Sequence, residues 1–306
     1  MVPLNLSAPD EPSSRRLSAH RIALAIPCFD EEARIPALLD ALQNLDPAPG
    51  LILALDDGST DRTAELLRAA PGVELLQQGR NLGLGLGRNK LWRTARERGF
   101  PIVAFLDADV SPASDHVRHV ANLFGNDVRL AGVGGRNVDV LAPDASLADK
   151  WRTKFWPQDM GPNPSMDAPM LVGALAAYRT EALYEVTGFD GRFRTNGEDV
   201  DVGRRLRAAG WRLRYEPNFV VRHRRRDDPR SLVRACFLHC REGMRATLKT
   251  PHEFPVASEL VVGMARKGAR APASALLKRG DPSEAALGLV ACAAGLAGYA
   301  AGWINR

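Results

Sequence analysis

Cysteine is scarce. Four cysteines in 306 residues make no disulfide framework, which excludes a stapled secreted scaffold and favours a reducing compartment. The first twenty residues, rich in Ser and Pro, lack the apolar run of a signal peptide, so secretion by one is not expected, and residues 1–20 read as a flexible arm. Aromatics make up only 6% of the chain, and the formal net charge of +5 is modest, so nucleic acid is not an expected partner. No second pair of metal ligands accompanies Cys236, His239 and Cys240, so these residues read as helix-face packing and not as a zinc site.

What is present is a hydrophobic content of 45%, ample for one large or two small domains. The positive charge is gathered in Arg222, Arg224, Arg225 and Arg226, and more loosely in Arg266, Lys267, Arg270, Lys278 and Arg279. Phosphate-bearing ligands or an anionic membrane surface suit such clusters.

The stretch PIVAFLDADV at 101–110 has the apolar run of a central strand, buried on both faces and ending in Asp107 and Asp109. Open α/β sheets bind ligands beyond such strand ends. Two carboxylates there suit a divalent cation carrying a phosphate, or equally a turn and helix cap. Strand and helix patterns alternate before and after it. Residues 22–26 form a strand followed by Asp30 as a helix cap, and 51–55 a strand ending in acid; 73–76 forms a third. Gly83, Gly85 and Gly87 lie in a long loop opening a basic helix; their spacing and distance from the strand do not fit a dinucleotide fingerprint. Strands are expected at 130–140, 171–178, 212–216 and 219–222. Residues 146–169, with Trp151, Trp156 and several prolines, break the alternation and read either as a loop lining an open site or as aromatics packed on the sheet. Glu198, Asp199 and Asp201 crowd a helix N-terminus, where acids favour the dipole, and Gly210 ends that helix. The alternation implies a mainly parallel sheet with flanking helices. Past residue 231 the chain reads as helical, and 285–304 is an apolar, Gly-rich stretch suited to interfacial or re-entrant membrane contact, or to packing within the domain or a homodimer.

IPCFDEE at 26–32, DDGSTD at 56–61, NLGLGLGRN at 81–89, DAD at 107–109 and GFDGRFRTNGEDVDVGRRLRAAGW at 188–211 follow one order. With these the chain resembles the family 2 glycosyltransferases of the GT-A (nucleotide-diphospho-sugar transferase) fold, over residues 20–245. The resemblance implies a catalytic domain over 21–230, with a nucleotide half to about 110 and an acceptor half beyond it, and then a helical region 231–306. It implies a nucleotide-diphosphate sugar donor, Mn²⁺ or Mg²⁺, and an acceptor hydroxyl on a lipid-linked, glycan or small molecule. The absence of a Q-x-x-R-W motif and of flanking transmembrane helices points to single addition. A cytoplasmic enzyme, peripheral at the inner face of the plasma membrane, is expected.

By the same resemblance Pro27 and Phe29 lie along the base, and Asp57 accepts hydrogen bonds from base or ribose. Arg88 suits the nucleotide or its phosphates. Asp107 and Asp109 hold ribose and the metal diphosphate, with His223 as a further metal ligand or a plain surface histidine. Asp199 is the expected base of an inverting transfer, Glu198 orients substrate or loop, and Asp201 faces solvent or caps the helix. Arg224, Arg225 and Arg226 could clamp the diphosphate, meet lipid headgroups or form a solvated basic face. A retaining GT-A enzyme shares the fold and the metal motif. A sugar-phosphate nucleotidyltransferase would carry a Gly-rich basic loop where Pro27–Glu32 stand, and a silent adaptor would have broken acidic motifs.

Overall fold

The computed structural model describes residues 17–249 and 282–304. Most of the expected arm and the basic run from Arg266 to Arg279 lie outside the described residues.

Continuous apolar runs produce the central strands. In β1 (Ile22–Cys28) successive side chains point to opposite faces. Ile22, Leu24 and Ile26 join the core under α1 (Ile35–Gln43) and α4 (His116–Phe124), while Ala23 and Ala25 face α3 (Leu84–Glu97). The small alanines let α3 approach closely. β2 (Leu51–Asp56) and β4 (Ile102–Leu106) flank β1 in parallel, and β3 (Glu74–Gln77) closes that edge. On the other side lie β7 (Leu175–Arg179), β6 (Leu130–Asp139), β8 (Arg212–His223) and β5 (Val110–Pro112), giving one sheet of order β3-β2-β1-β4-β7-β6-β8-β5. Only β7 and β5 run against the other strands, so the sheet is mainly parallel, as expected.

Several local expectations are corrected. Asp30 does not cap α1, which begins after Arg34; its backbone has φ 53 and its carboxylate accepts from the Thr60 amide at 2.8 Å. Ser59 accepts from the Asp30 amide and Thr63 from the Glu31 amide, so the IPCFDEE and DDGSTD turns are stitched together across the two strand ends. Gly85 and Gly87 lie inside α3, not in a loop. A side chain at Gly85 would meet the Asp190 carbonyl at 2.8 Å, and close packing, not flexibility, is what glycine supplies there. The strand expected at 171–178 starts at Leu175, and the two expected at 212–222 are a single strand carrying Pro217 and a register shift against β6. The irregular 146–169 segment contains α5 (Leu147–Phe155), started by a capping box between Ser146 and Asp149.

A satellite core joins α5 to α8 (Pro229–Leu248) and α9 (Pro282–Ile304) through Trp151, Leu232, Cys236, Cys240, Cys292 and Tyr299. Cys236 and Cys240 are thus buried thiols of a helix face, as expected. α9 lies along α8 in the same direction, because a side chain at Gly298 would strike the Phe237 carbonyl and one at Gly302 the Arg241 carbonyl. Among the described residues α9 is the helix long and apolar enough to cross a membrane; its small-residue face is spent on α8.

Candidate active site

The parallel strands deliver their carboxyl ends to one edge, and there two cavities meet. The first, about 460 Å³, is walled by Pro27, Phe29, Asp57, Gly83, Leu84 and Arg194, with Asp107 and Asp109 at its inner end. The Phe29 ring is 42% exposed on this wall, an unpacked aromatic face of the kind a base can stack on. Asp57 is buried and already accepts from Gln78 Nε2 and the amides of Leu82 and Gly83, the latter two at 2.9 Å. Its carboxylate therefore shapes the 78–83 turn, leaving little acceptor capacity for a ligand.

The second cavity, about 410 Å³, opens between β4, α7 (Glu198–Ala208) and α8. Asp107 and Asp109 reach it directly after β4, and β5 returns the chain alongside β8 so that Val110 pairs with His223. That pairing sets His223 Nε2 at 3.2 Å from Asp109 Oδ2. On its other side His223 Nδ1 lies 2.7 Å from Asp139 Oδ1, and Arg152 donates to the same oxygen at 3.0 Å. Burial opposes a charge on His223, but the hydrogen bonds to Asp109 and Asp139 prevail and push its pKa up to about 9. Burial, with Asp109 nearby, pushes the Asp107 carboxyl up against the pull of Arg88. Two crowded carboxylates and an imidazole oriented by a third carboxylate form a donor set that fits a hard or borderline divalent ion. Among the described residues no three such groups form a ready-made cage, so an ion would complete its shell with oxygens brought by a ligand.

Arg88 borders the second cavity, but its guanidinium is spent on internal partners. It is 1% exposed and bridges Glu198 Oε1 at 2.6 Å and Asp107 Oδ1 at 3.1 Å, with Phe105 and Phe189 against its guanidinium. The buried arginine ties the end of β4 to the start of α7. Gly173 makes room for it, since a side chain there would lie 2.5 Å from Arg88 Nη1. Glu198 is buried, and its Oε2 has no hydrogen-bond partner. Burial and the adjacent Asp199 raise its pKa to about 7 despite Arg88. Asp199 is half-buried on the cavity wall, its Oδ2 accepting from the Gly173 amide at 3.3 Å. Asp201 neither faces solvent nor caps the helix. It is buried between Arg205 and Lys249, which corrects the sequence reading.

Asp107, Asp109, Glu198, Asp199, Arg88 and His223 therefore converge on the second cavity, and Pro27, Phe29 and Asp57 line the first. Of the arginine run only Arg225 reaches the cavity, held by Asp227 at 3.1 Å, while Arg226 is paired with Asp144. Sequence reading missed Asp139 and Arg152, which support His223, and Asn137, whose buried Oδ1 has no partner. It also missed Gln158 and Arg234 as individual lining residues, although 146–169 was expected to line an open site and the region past 231 to be helical. Their positions depend on α5 and α8 folding back over the sheet, and the Ser-x-x-Asp capping spacing at 146–149 was the one local signal for the first.

Comparison with known proteins identifies the family and the fold. Residues 23–187 match the family described as "Glycosyl transferase family 2". The chain is 28% identical over 257 residues to a pre-mycofactocin glycosyltransferase of Mycobacterium tuberculosis, covering 80% of this chain and 51% of that protein. It is 30% identical over 210 residues to an N-acetylglucosaminyl-diphospho-decaprenol L-rhamnosyltransferase of the same organism, covering 57% and 66%. The chain thus spans about half the length of the first of these relatives. A mannosyltransferase from Pyrobaculum calidifontis, solved in complex with GDP-Man and Mn²⁺, superposes with a TM-score of 0.64 at 19% identity, over 94% of this chain and 88% of that one. The backbone likeness shows the shared GT-A fold, and the matched span takes in the strand-end acids from Asp57 to Asp109; the chain belongs to glycosyl transferase family 2.

Proposed function

We propose that this chain transfers a sugar from a nucleotide-diphosphate donor to an acceptor hydroxyl, with inversion and with a divalent metal. The observation that carries the reading is the convergence of Asp107, Asp109 and His223 with Asp199 around a single cavity that joins a second one walled by Phe29. Phe29 and Pro27 suit the base, with Asp57 holding the turn that closes over it. Asp109, Asp107 and His223 would hold Mn²⁺ or Mg²⁺, which when bound neutralises the diphosphate of the leaving group. The Mn²⁺ bound in the Pyrobaculum mannosyltransferase complex supports that choice for this chain. His223 is kept pointing at the site by Asp139, and Asp107 by Arg88.

Asp199 serves as the base. As the acceptor oxygen forms its bond to the anomeric carbon, the bond to the diphosphate oxygen breaks and the hydroxyl proton passes to the Asp199 carboxylate. Glu198, tied to Arg88 and buried, positions α7 and is not the proton acceptor. The nucleoside diphosphate leaves with the electron pair. Asp199→Asn is expected to lower transfer by at least about 10² while Mn²⁺-dependent nucleotide binding persists. Retained turnover would remove Asp199 as the base, and lost nucleotide binding would mean that it serves the donor instead.

A further inference from the structure

Arg234 of α8 lines two cavities at once. One is the catalytic cavity; the other, about 710 Å³, is an open groove between α8 and α9 lined by Val233, Phe237, Leu287, Val290 and Ala294. Arg230 and Arg234 stand at the groove's edge, exposed and with no carboxylate partner among the described residues. The outer face of α9 leaves Val290 55% and Leu289 53% exposed beside it. An apolar channel, an unpaired guanidinium at its junction with the catalytic cavity, and a cavity containing a base are three consecutive environments. They match three consecutive parts of one molecule: a hydrocarbon tail, a phosphate, and a hydroxyl-bearing head.

Resting on the transferase reading above, we propose that the acceptor is a hydrocarbon-tailed phosphate, its tail lying in the α8–α9 groove, its phosphate on Arg234 with Arg230 beside it, and its hydroxyl-bearing head in the cavity of Asp199. The groove explains why α9 spends its glycines on α8, at Gly298 and Gly302, while keeping leucine and valine on the outside. Charge complementarity selects this occupant over an uncharged apolar segment, because two exposed arginines without a carboxylate partner among the described residues stand at the rim, and a phosphate there gives them charge-assisted hydrogen bonds that an apolar segment cannot.

The full chain can be titrated by calorimetry with dodecyl phosphate in EDTA, so that no metal recruits the phosphate to Asp107 and Asp109. Inorganic phosphate supplies the head alone, and dodecyl maltoside supplies the tail with an uncharged head. Dodecyl phosphate is expected to bind at least about tenfold more tightly than either, with Arg234→Gln and Val290→Glu each weakening it about fivefold or more. Both positions are exposed, so the variants should melt with the wild-type chain. Equal binding of dodecyl maltoside would overturn the proposal in favour of an adhesive apolar face, and equal binding of inorganic phosphate in favour of a phosphate site with no tail channel. Variants that bind like the wild type would overturn it too. Thermal stabilisation by nucleoside diphosphates with Mn²⁺, measured in parallel, separates the readings: if it persists, only the acceptor assignment falls, and if it is also absent, the transferase reading falls with it.

Discussion

Replacing Arg88 by methionine should destabilise the fold more than it weakens any single contact. Arg88 is 1% exposed and its two partners differ: the Glu198 side chain is 4% exposed, whereas that of Asp107 is 30% exposed. Water can rehydrate Asp107 when its arginine is lost, so that half of the bridge contributes little. Glu198 has no such recourse, and at alkaline pH, where its carboxyl is ionised, breaking a buried pair by removing one partner costs about 3–5 kcal/mol. In urea, with a slope of about 3 kcal/mol/M, the midpoint should fall by about 1 M or more. The pH dependence has a defined sign. Glu198 already titrates near 7, above its ordinary value, so the folded state binds its proton more tightly than the unfolded one. That contribution is fully present below about pH 4.5 and is lost as pH rises through 7; removing Arg88 carries the carboxyl further up. The loss on Arg88→Met should therefore be larger at pH 9 than at pH 6. Adding Glu198→Gln removes the stranded charge, and the double variant should recover most of the loss. A single-variant cost below about 1 kcal/mol, or a double variant no more stable than the single, would refute the idea that this buried bridge holds β4 to α7.

Asp139→Asn should weaken Mn²⁺-supported nucleoside diphosphate binding by about 10–100-fold, because Asp139 orients His223; unchanged affinity by calorimetry would reduce Asp139 to a structural partner of Arg152. His116 is buried and stacked on Phe219, and burial, aided by His119, holds its pKa down at about 4 from 6.5. The unfolded chain thus binds the extra proton between those values, and stability should fall by up to about 3 kcal/mol as pH drops from 6.5 to 4. His116→Leu should flatten that part of the profile; an unchanged slope in urea titrations would exclude His116 as its source. Gly298→Val should separate α9 from α8 and destabilise the chain by at least about 1–3 kcal/mol, whereas Gly243→Ala, with open space around it, should stabilise α8 by about 0.5–1 kcal/mol. Equal effects of the two on thermal unfolding would contradict the helix pairing.

The sequence by itself determined the parallel half of the sheet and the residues at its carboxyl edge. Runs such as Ile22–Ile26 and Ile102–Leu106 are apolar without interruption, and a strand buried on both faces has no other composition available to it. Asp57, Asp107, Asp109 and Asp199 were legible as strand-end or helix-start acids for the same local reason. What residues do once they meet was decided by tertiary structure alone. His223 becomes a partner of Asp109 only because β5, three residues long and without periodicity, pairs with β8 across more than a hundred positions. Arg88 follows a glycine-rich stretch that suggests a ligand loop, yet the closeness those glycines permit turns it inward to Glu198. Asp201 shares a helix turn with Asp199 and is buried under Lys249, because α8 returns over that turn. Local patterns report burial and backbone preference, which are properties of a few neighbouring residues. Whether a charge faces water, a counter-charge or a substrate depends on chain segments a hundred residues away, and only the fold brings them within hydrogen-bonding distance.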